Sequence, residues 1–302
     1  MCSWYLQGLG AEVVKVEPVT GDPLRYMPPF DDDGIGAWFG AINVGKKSVT
    51  MNLKAESDVS KFKSLLANTD VLVEGFRPGV MGRLGLDPAE LCEEFPQLVV
   101  VSVTGFGQTG PLRTLPGHDL GYCGMAGLLS TAERHGGIPD IPGVLVADIA
   151  GGALTSAVGV LGALLERERT GRGQWVDVSM TDGVMPFAAM AFAQAQVCGQ
   201  PPVPGAEVLT GGFAQYRVYR CKDERLITLA AIEEKFFAAL ETVVGDSVPR
   251  DAGGLAALFS TKDRDEWAAL LEGACVLPVL EVNELGDHPL HLHRGTIVGE
   301  GK

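Results

Sequence analysis

The chain is short of basic residues: 24 Lys and Arg stand against 38 Asp and Glu, a formal net charge of −14 over 302 residues. Nucleic acid is a poor partner for such a chain, because its phosphates would be repelled. An anionic ligand is still possible, since local Arg and Lys decide that. Cysteine is sparse too. Cys2, Cys92, Cys123, Cys198, Cys221 and Cys275 are scattered with no CxxC pair, which reads as incidental thiols in a reducing setting and not as a disulfide framework or a zinc site. No apolar run reads as long and clean enough to span a bilayer. The opening Met1-Cys2-Ser3-Trp4 lacks the basic segment and apolar core of a secretory signal. Internal repeats and low-complexity tracts are also missing. These absences predict a cytoplasmic globular protein with neither nucleic acid nor membrane as partner.

What is present is an alternation of strands and helices. Ala11 to Glu17, Asp70 to Glu74 and Gln97 to Thr104 read as strands, the last a β-branched run bounded by Pro96 and Gly105. Ser57 to Ala67 and Asp87 to Glu94 read as helices, the latter with Pro88 in its first turn. Such alternation predicts an α/β fold with a doubly wound parallel sheet. Ile149 to Arg169 reads as a long Gly/Ala-rich helix stopped by Thr170-Gly171. After Asp182 the texture changes. Gln200 to Gly205 resembles a linker, followed by a strand pair (Ala214 to Arg220, Arg225 to Ala230) and a helix from Glu233. The expected organisation is a large domain over 1–200, a small α+β domain over 205–281, and in 282–302 the start of a return segment to the large domain.

Two stretches carry chemistry. In Gly117-His118-Asp119 a His stands in a turn after a strand. In Val146 to Gly152 a lone Asp, Asp148, ends an apolar run and opens a helix. A carboxylate where a strand runs into a helix N-terminus sits among free N–H groups that stabilise its ionised form. It can act as a base or as a nucleophile toward an activated acyl group. Gly105-Phe106-Gly107-Gln108-Thr109-Gly110 matches the dinucleotide pattern GxGxxG, but the following Pro111 to Gly117 has no helical period and cannot seat a pyrophosphate on a helix N-terminus. His288, His291 and His293 lack the converging Cys or carboxylate ligands of a metal site, so no metal is expected.

Five phrases then occur in order: Gly10 to Pro18 (GAEVVKVEP), Gly21 to Arg25 (GDPLR), Asn43 to Val49 (NVGKKSV), Gly75 to Gly79 (GFRPG) and Thr170 to Met180 (TGRGQWVDVSM). Together they resemble the family III CoA-transferase (CaiB/BaiF) group, which also contains α-methylacyl-CoA racemase, and the resemblance runs through nearly the whole chain. It implies a Rossmann-like large CoA-binding domain, a small domain and a homodimer of interlocked chains. It also implies acyl-CoA substrates, coenzyme A arriving as part of the substrate, and no permanently bound cofactor.

The family's shared Asp maps onto Asp148. In the transferases it attacks an acyl-CoA to give a mixed anhydride; in the racemase an Asp and a His exchange the proton on the α-carbon of the thioester. Gly117-His118-Asp119 resembles the racemase segment carrying its His, and Ala231-Ile232-Glu233 the segment whose Glu assists it. Asp148, His118 and Glu233 are therefore the expected catalytic residues of a racemase acting on a 2-methylacyl-CoA. A CoA transferase working through Asp148 is the alternative. Where the racemase has an Asn four residues before its Asp, this chain has Val144. Arg25, Lys54, Phe76, Arg77 and Arg83 resemble positions near the CoA phosphates and adenine, a task suited to bidentate Arg and point-charge Lys. Plainer readings stand beside these: His118 and Asp148 as helix caps, Glu233 as a first-turn acid. Met125, Met185 and Phe187 read either as an apolar acyl pocket or as core. Against the family pattern the chain begins inside the first helix and stops shortly after His288-Pro289, which adds a third expectation, a truncated and inactive member.

Overall fold

The structure, a computed structural model, describes residues 1–132, 134–135, 137–245 and 248–296. Its strands are β1 Val14–Glu17, β2 Lys47–Thr50, β3 Val71–Glu74, β4 Val99–Thr104, β5 Arg134–His135, β6 Ile138–Pro139, β7 Trp175–Ser179, β8 Tyr216–Arg220, β9 Leu226–Ala230 and β10 Val276–Pro278. The chain divides into two compact units, Met1–Gly199 and Gln200–Lys302.

In the first unit β4 is the middle strand of a parallel sheet in the order β3-β4-β7, with Val101 opposite both Val73 and Val176. Alternation across the pleat sends its side chains to two cores. Val99 and Val101 pack with Val160, Ala163 and Val178. Val100 packs on the other face with Phe62, Leu66, Met81, Leu86 and Leu91. Both faces are covered by helices, which is why the strand is a continuous apolar run. The helices expected in this region form as Glu56–Leu66 and Pro88–Glu94, the second capped by Asp87, whose side chain accepts the Ala89 N–H at 3.0 Å. The parallel sheet is not continuous: β1 and β2 pair with each other in a separate two-stranded piece.

The long helix has two parts. Ala147–Leu154 is a π-helix, and Thr155–Thr170 continues it as an α-helix stopped by the left-handed Gly171. This corrects the reading that no apolar stretch reaches membrane-spanning length: the 24 residues Ala147–Thr170 are long and apolar enough by composition. Ala157, Val160 and Ala163 are buried along it, and Val160 and Ala163 pack against strand residues of β4 and β7. The core helix of an α/β unit meets the same length and composition criterion.

The second unit is an antiparallel sheet, β10-β9-β8, packed against helices Glu234–Val244, Ala252–Phe259 and Arg264–Leu270. Its core gathers Ile227, Leu229, Phe237, Leu240, Leu255, Phe259 and Trp267. The described residues from 282 on, where a return segment to the large domain was expected to begin, lie within the span of this second unit. The guanidinium of Arg264, only 2% exposed, grips Glu284 through two hydrogen bonds of 2.7 and 2.8 Å.

Candidate functional site

The first unit brings His118 and Asp148 within electrostatic reach of each other. After β4 the chain runs through Gly105–Gly117 without a helix, so the GxGxxG stretch has no helix N-terminus to offer. It is held instead by the Asp177 carboxylate, which accepts the Gln108 N–H, and by Thr181 Oγ1, which donates to the Gly105 carbonyl at 2.7 Å. The loop folds around the Tyr122 ring. A methyl group at Gly117 would come within 2.6 Å of Tyr122 Cε1, and one at Gly105 would run into the same ring. Glycine at these two positions thus lets the loop close onto the Asp119–Met125 helix.

His118 is the N-cap residue of that helix in position but not in function. Its backbone is extended, with φ −135° and ψ 170°, and its side chain makes no capping bond. Among the described residues no hydrogen bond occupies its exposed imidazole.

Asp148 lies in the first turn of the π-helix, not after a strand; Val146 is already helical at φ −68° and ψ −44°. Its N–H is taken up by Asp119 Oδ1 at 2.9 Å. The expectation of a carboxyl stabilised in its ionised form is also corrected. Burial pushes the Asp148 carboxyl above the ordinary range, the negative charge of Asp119 adds to that, and His118 opposes both.

Why the π-helix sits where it does follows from its glycines. A Cβ on Gly151 would run into the Met180 carbonyl oxygen, and one on Gly183 into the Gly151 carbonyl oxygen. Backbone meets backbone here, which only glycine permits. Thr155 Oγ1 donates to the Ala150 carbonyl at 2.9 Å at the junction with the α-helix.

The expected phosphate and adenine residues do not all behave alike. Arg77 and Arg83 line a cleft of about 440 Å³, with Arg113, Trp175, Gln108 and the buried carboxyl of Glu74. Burial raises the Glu74 carboxyl, although Ser102 and the Phe76 N–H bond to it. Phe76 is 44% exposed. Lys54 is exposed, its N–H on the Asn52 side chain at 3.1 Å. Arg25 is committed elsewhere: Nε and Nη2 each donate to Glu17 at 2.8 Å, and the guanidinium lies 3.8 Å from the centre of the Phe39 ring. Met125, Met185 and Phe187 are more than half exposed, so they are not core residues. Met125 borders a second cleft of about 210 Å³ with Phe106 and Leu112. Val144 is exposed in the loop before the π-helix.

Glu233 belongs to the second unit, exposed at the N-cap position of Glu234–Val244 with no side-chain capping bond. It precedes the first turn in which it was expected. In the same unit His288 Nδ1 accepts the Leu290 N–H at 3.3 Å, a capping role. Among the described residues no group of His, Cys, Asp and Glu is arranged to hold a metal ion. Three residues of the site escaped the sequence reading: Asp119 as a partner of Asp148, Tyr122 as the packing centre, and Arg113 in the cleft.

A parallel-sheet α/β unit that couples a half-buried carboxyl to an exposed imidazole, and that also carries a cleft with three arginines, has the makings of an enzyme handling an anionic substrate. The chain belongs to CoA-transferase family III, whose family model matches residues 1–299. It is 32% identical to human alpha-methylacyl-CoA racemase over 98% of this chain and 78% of that protein. It is also 32% identical to the acetyl-CoA:oxalate CoA-transferase of Acetobacter aceti, over 98% of this chain and 80% of the relative. A crystal structure of a CAIB/BAIF family protein from Brucella suis superposes with a TM-score of 0.84 at 29% identity, covering 97% of this chain and 83% of that one. The chain is therefore an enzyme of the family III CoA-transferase group, a family that includes both a racemase and transferases.

Proposed function

We propose that the enzyme racemises or epimerises the α-carbon of a 2-methylacyl-CoA, with Asp148 and His118 as the acid/base pair. The observation that carries this reading is the pairing itself: a carboxyl whose proton affinity is raised by burial, in electrostatic contact with an imidazole that no capping bond occupies. The thioester carbonyl acidifies the α-hydrogen. One group removes that proton to leave an enolate, and the other returns a proton to the opposite face, which inverts the centre. A carboxyl with raised proton affinity is a better match for this task than an ordinary Asp. The family resemblance gives Glu233 an assisting part in the same chemistry. Arg77 and Arg83, with Lys54, Phe76 and the remaining Nη1 of Arg25, receive the phosphates and adenine of coenzyme A, which enters with the substrate, so no permanently bound cofactor is needed. Met125, Met185 and Phe187 offer an apolar surface for the acyl chain. The enzyme works as a cytoplasmic homodimer of interlocked chains, without nucleic acid or membrane partner.

The transferase names among its relatives favour a second reading. There the Asp148 carboxylate attacks the thioester carbonyl, the C–S bond breaks, CoA leaves as thiolate, and an aspartyl anhydride remains. The test is α-proton exchange of a 2-methylacyl-CoA in D₂O without acceptor acid, followed by NMR. Deuterium entering the α-position with loss of stereochemical purity supports the racemase. Replacing Asp148 by Asn should abolish either activity, whereas His118→Ala should abolish only exchange. A parent enzyme that transfers CoA without exchanging the α-proton refutes the first reading.

A further inference from the structure

The residue after the imidazole is the least expected part of the site. Asp119 is a carboxylate only 8% exposed, and both its oxygens are engaged within the protein. Oδ1 accepts the Asp148 N–H at 2.9 Å, and Oδ2 accepts from the Cys123 Sγ at 3.7 Å. The Asp148 N–H belongs to the first turn of the π-helix, where no carbonyl of the helix itself can receive it. An N-cap side chain would do this locally, but the N-cap residue of the π-helix is Val146, whose side chain has no acceptor. The cap is therefore supplied from another helix, 29 residues earlier in the chain.

We propose that Asp119 is the positioning residue of this site: its buried carboxylate closes the first turn of the π-helix from outside and so fixes Asp148 relative to His118. The proposal rests on the reading of Asp148 as the reacting carboxyl. Because His118 and Asp119 are consecutive, the same helix start that presents the imidazole also grips the backbone of Asp148. The two reacting groups are thereby tied by one hydrogen bond. Nothing in this requires Asp119 to touch substrate.

A second effect follows from charge. The groups that act electrostatically on or with Asp148 are His118, Asp119, Tyr122 and Cys123, all at or within the Asp119–Met125 helix. The other elements packed on the π-helix carry Cys2 and Tyr5 in Cys2–Gly8, Asp182 in Met180–Val184 and Asp177 in β7, while β4 carries none. In Thr155–Thr170 the charged residues, Glu166 to Arg169, lie in the last turns. After burial, the charge of Asp119 is thus what raises the Asp148 carboxyl above its ordinary range.

The experiment compares Asp119→Asn with Asp119→Ala in the full-length protein. Asn keeps an oxygen acceptor for the Asp148 N–H but loses the charge; Ala loses both. Three readouts are taken: kcat and KM for α-proton exchange, the acidic limb of the pH profile, and the ¹³C titration of the Asp148 carboxyl, assigned by its disappearance in Asp148→Asn. In both variants the Asp148 titration midpoint should move down. In Ala, kcat should fall by about 10- to 100-fold with KM nearly unchanged, the scale of a misplaced reacting group. Asn should restore most of that loss and carry the acidic limb to lower pH. A folded Ala variant as active as the parent overturns the positioning role, as does an Asn variant no better than Ala. If the parent exchanges no α-proton, the racemase reading falls, and the titration alone still decides: a midpoint unmoved in both variants overturns the action of Asp119 on Asp148, and a lowered one supports it.

Discussion

Gly183→Ala and Gly162→Ala are the same chemical change with opposite expected signs. At Gly183 the new methyl would lie 2.9 Å from Gly151 Cα, 2.8 Å from its carbonyl carbon and closer still to its oxygen. Carbon atoms in contact rest at about 3.5–4.0 Å, so the two backbones must part by roughly an ångström. No side-chain rotation relieves that. Overpacking of this kind costs about 1–3 kcal/mol, occasionally more. Gly162 lies exposed within Thr155–Thr170 with nothing within 4 Å of its would-be Cβ. There Ala should stabilise by about 0.8–1 kcal/mol through helix propensity. For a unit of this size each kcal/mol moves the melting midpoint by roughly 2–4 °C. Calorimetry of the two variants should therefore show shifts of opposite sign, roughly 2–12 °C down and about 2–4 °C up. The Gly183 variant should also lose activity beyond its loss of folded protein, because the carbonyl it displaces belongs to the π-helix carrying Asp148. A Gly183→Ala protein as stable as the parent, with Gly162→Ala behaving as expected, would refute the backbone-contact argument.

Acid provides a second check. Hydrogen bonds from Arg25 hold the Glu17 carboxyl down at about 2, with Ser48 and the Asp22 N–H helping against burial. A carboxyl depressed in the folded state gives stability that is complete above its unfolded value and lost as pH falls toward the folded one. Unfolding midpoints should thus drop between about pH 5 and about pH 2 in the parent, and drop less in Glu17→Gln; parallel curves would contradict this. Arg77→Ala and Arg83→Ala should each weaken CoA binding about 10-fold, the scale of a lost charge-assisted hydrogen bond, measured by calorimetry. Unchanged affinity in both would remove the cleft from the CoA site. With Asp148 as base, kcat/KM should fall on the acidic side at a pH above the ordinary Asp range, since its carboxyl is raised. An acidic limb within the ordinary range would remove the role given to its burial.

How much of this was legible in the sequence depended on how local each cause is. The strand at Val99–Thr104 follows from β-branched residues and a bounding Gly, and it formed nearly as read. Asp87 and Pro88 announced a helix start that the structure keeps. His118 and Asp148 stood out by residue type. Their surroundings did not, because those are set by distant contacts. The Asp119 bond to Asp148 joins two segments 29 residues apart. The π-turn depends on Gly151 meeting the Met180 carbonyl, an approach no local pattern encodes. Arg25 shows the same limit: its charge suits a phosphate, but only the fold reveals Glu17 as its partner.

The π-turn also makes the helix sensitive to counting. In an α-helix each residue advances about 100° around the axis, so a wide turn shifts the angular register of everything before it against everything after it. If the stretch from Asp148 to Thr155 rewound as ordinary α-helix with every residue kept, the buried stripe Ala157, Val160 and Ala163 could stay seated on the sheet, while Asp148 would swing about a third of a revolution away from Asp119. A helix wound that way would have better backbone hydrogen bonding and no working site. Removing one residue at the same time would nearly cancel the swing, so the site depends on residue number and winding together.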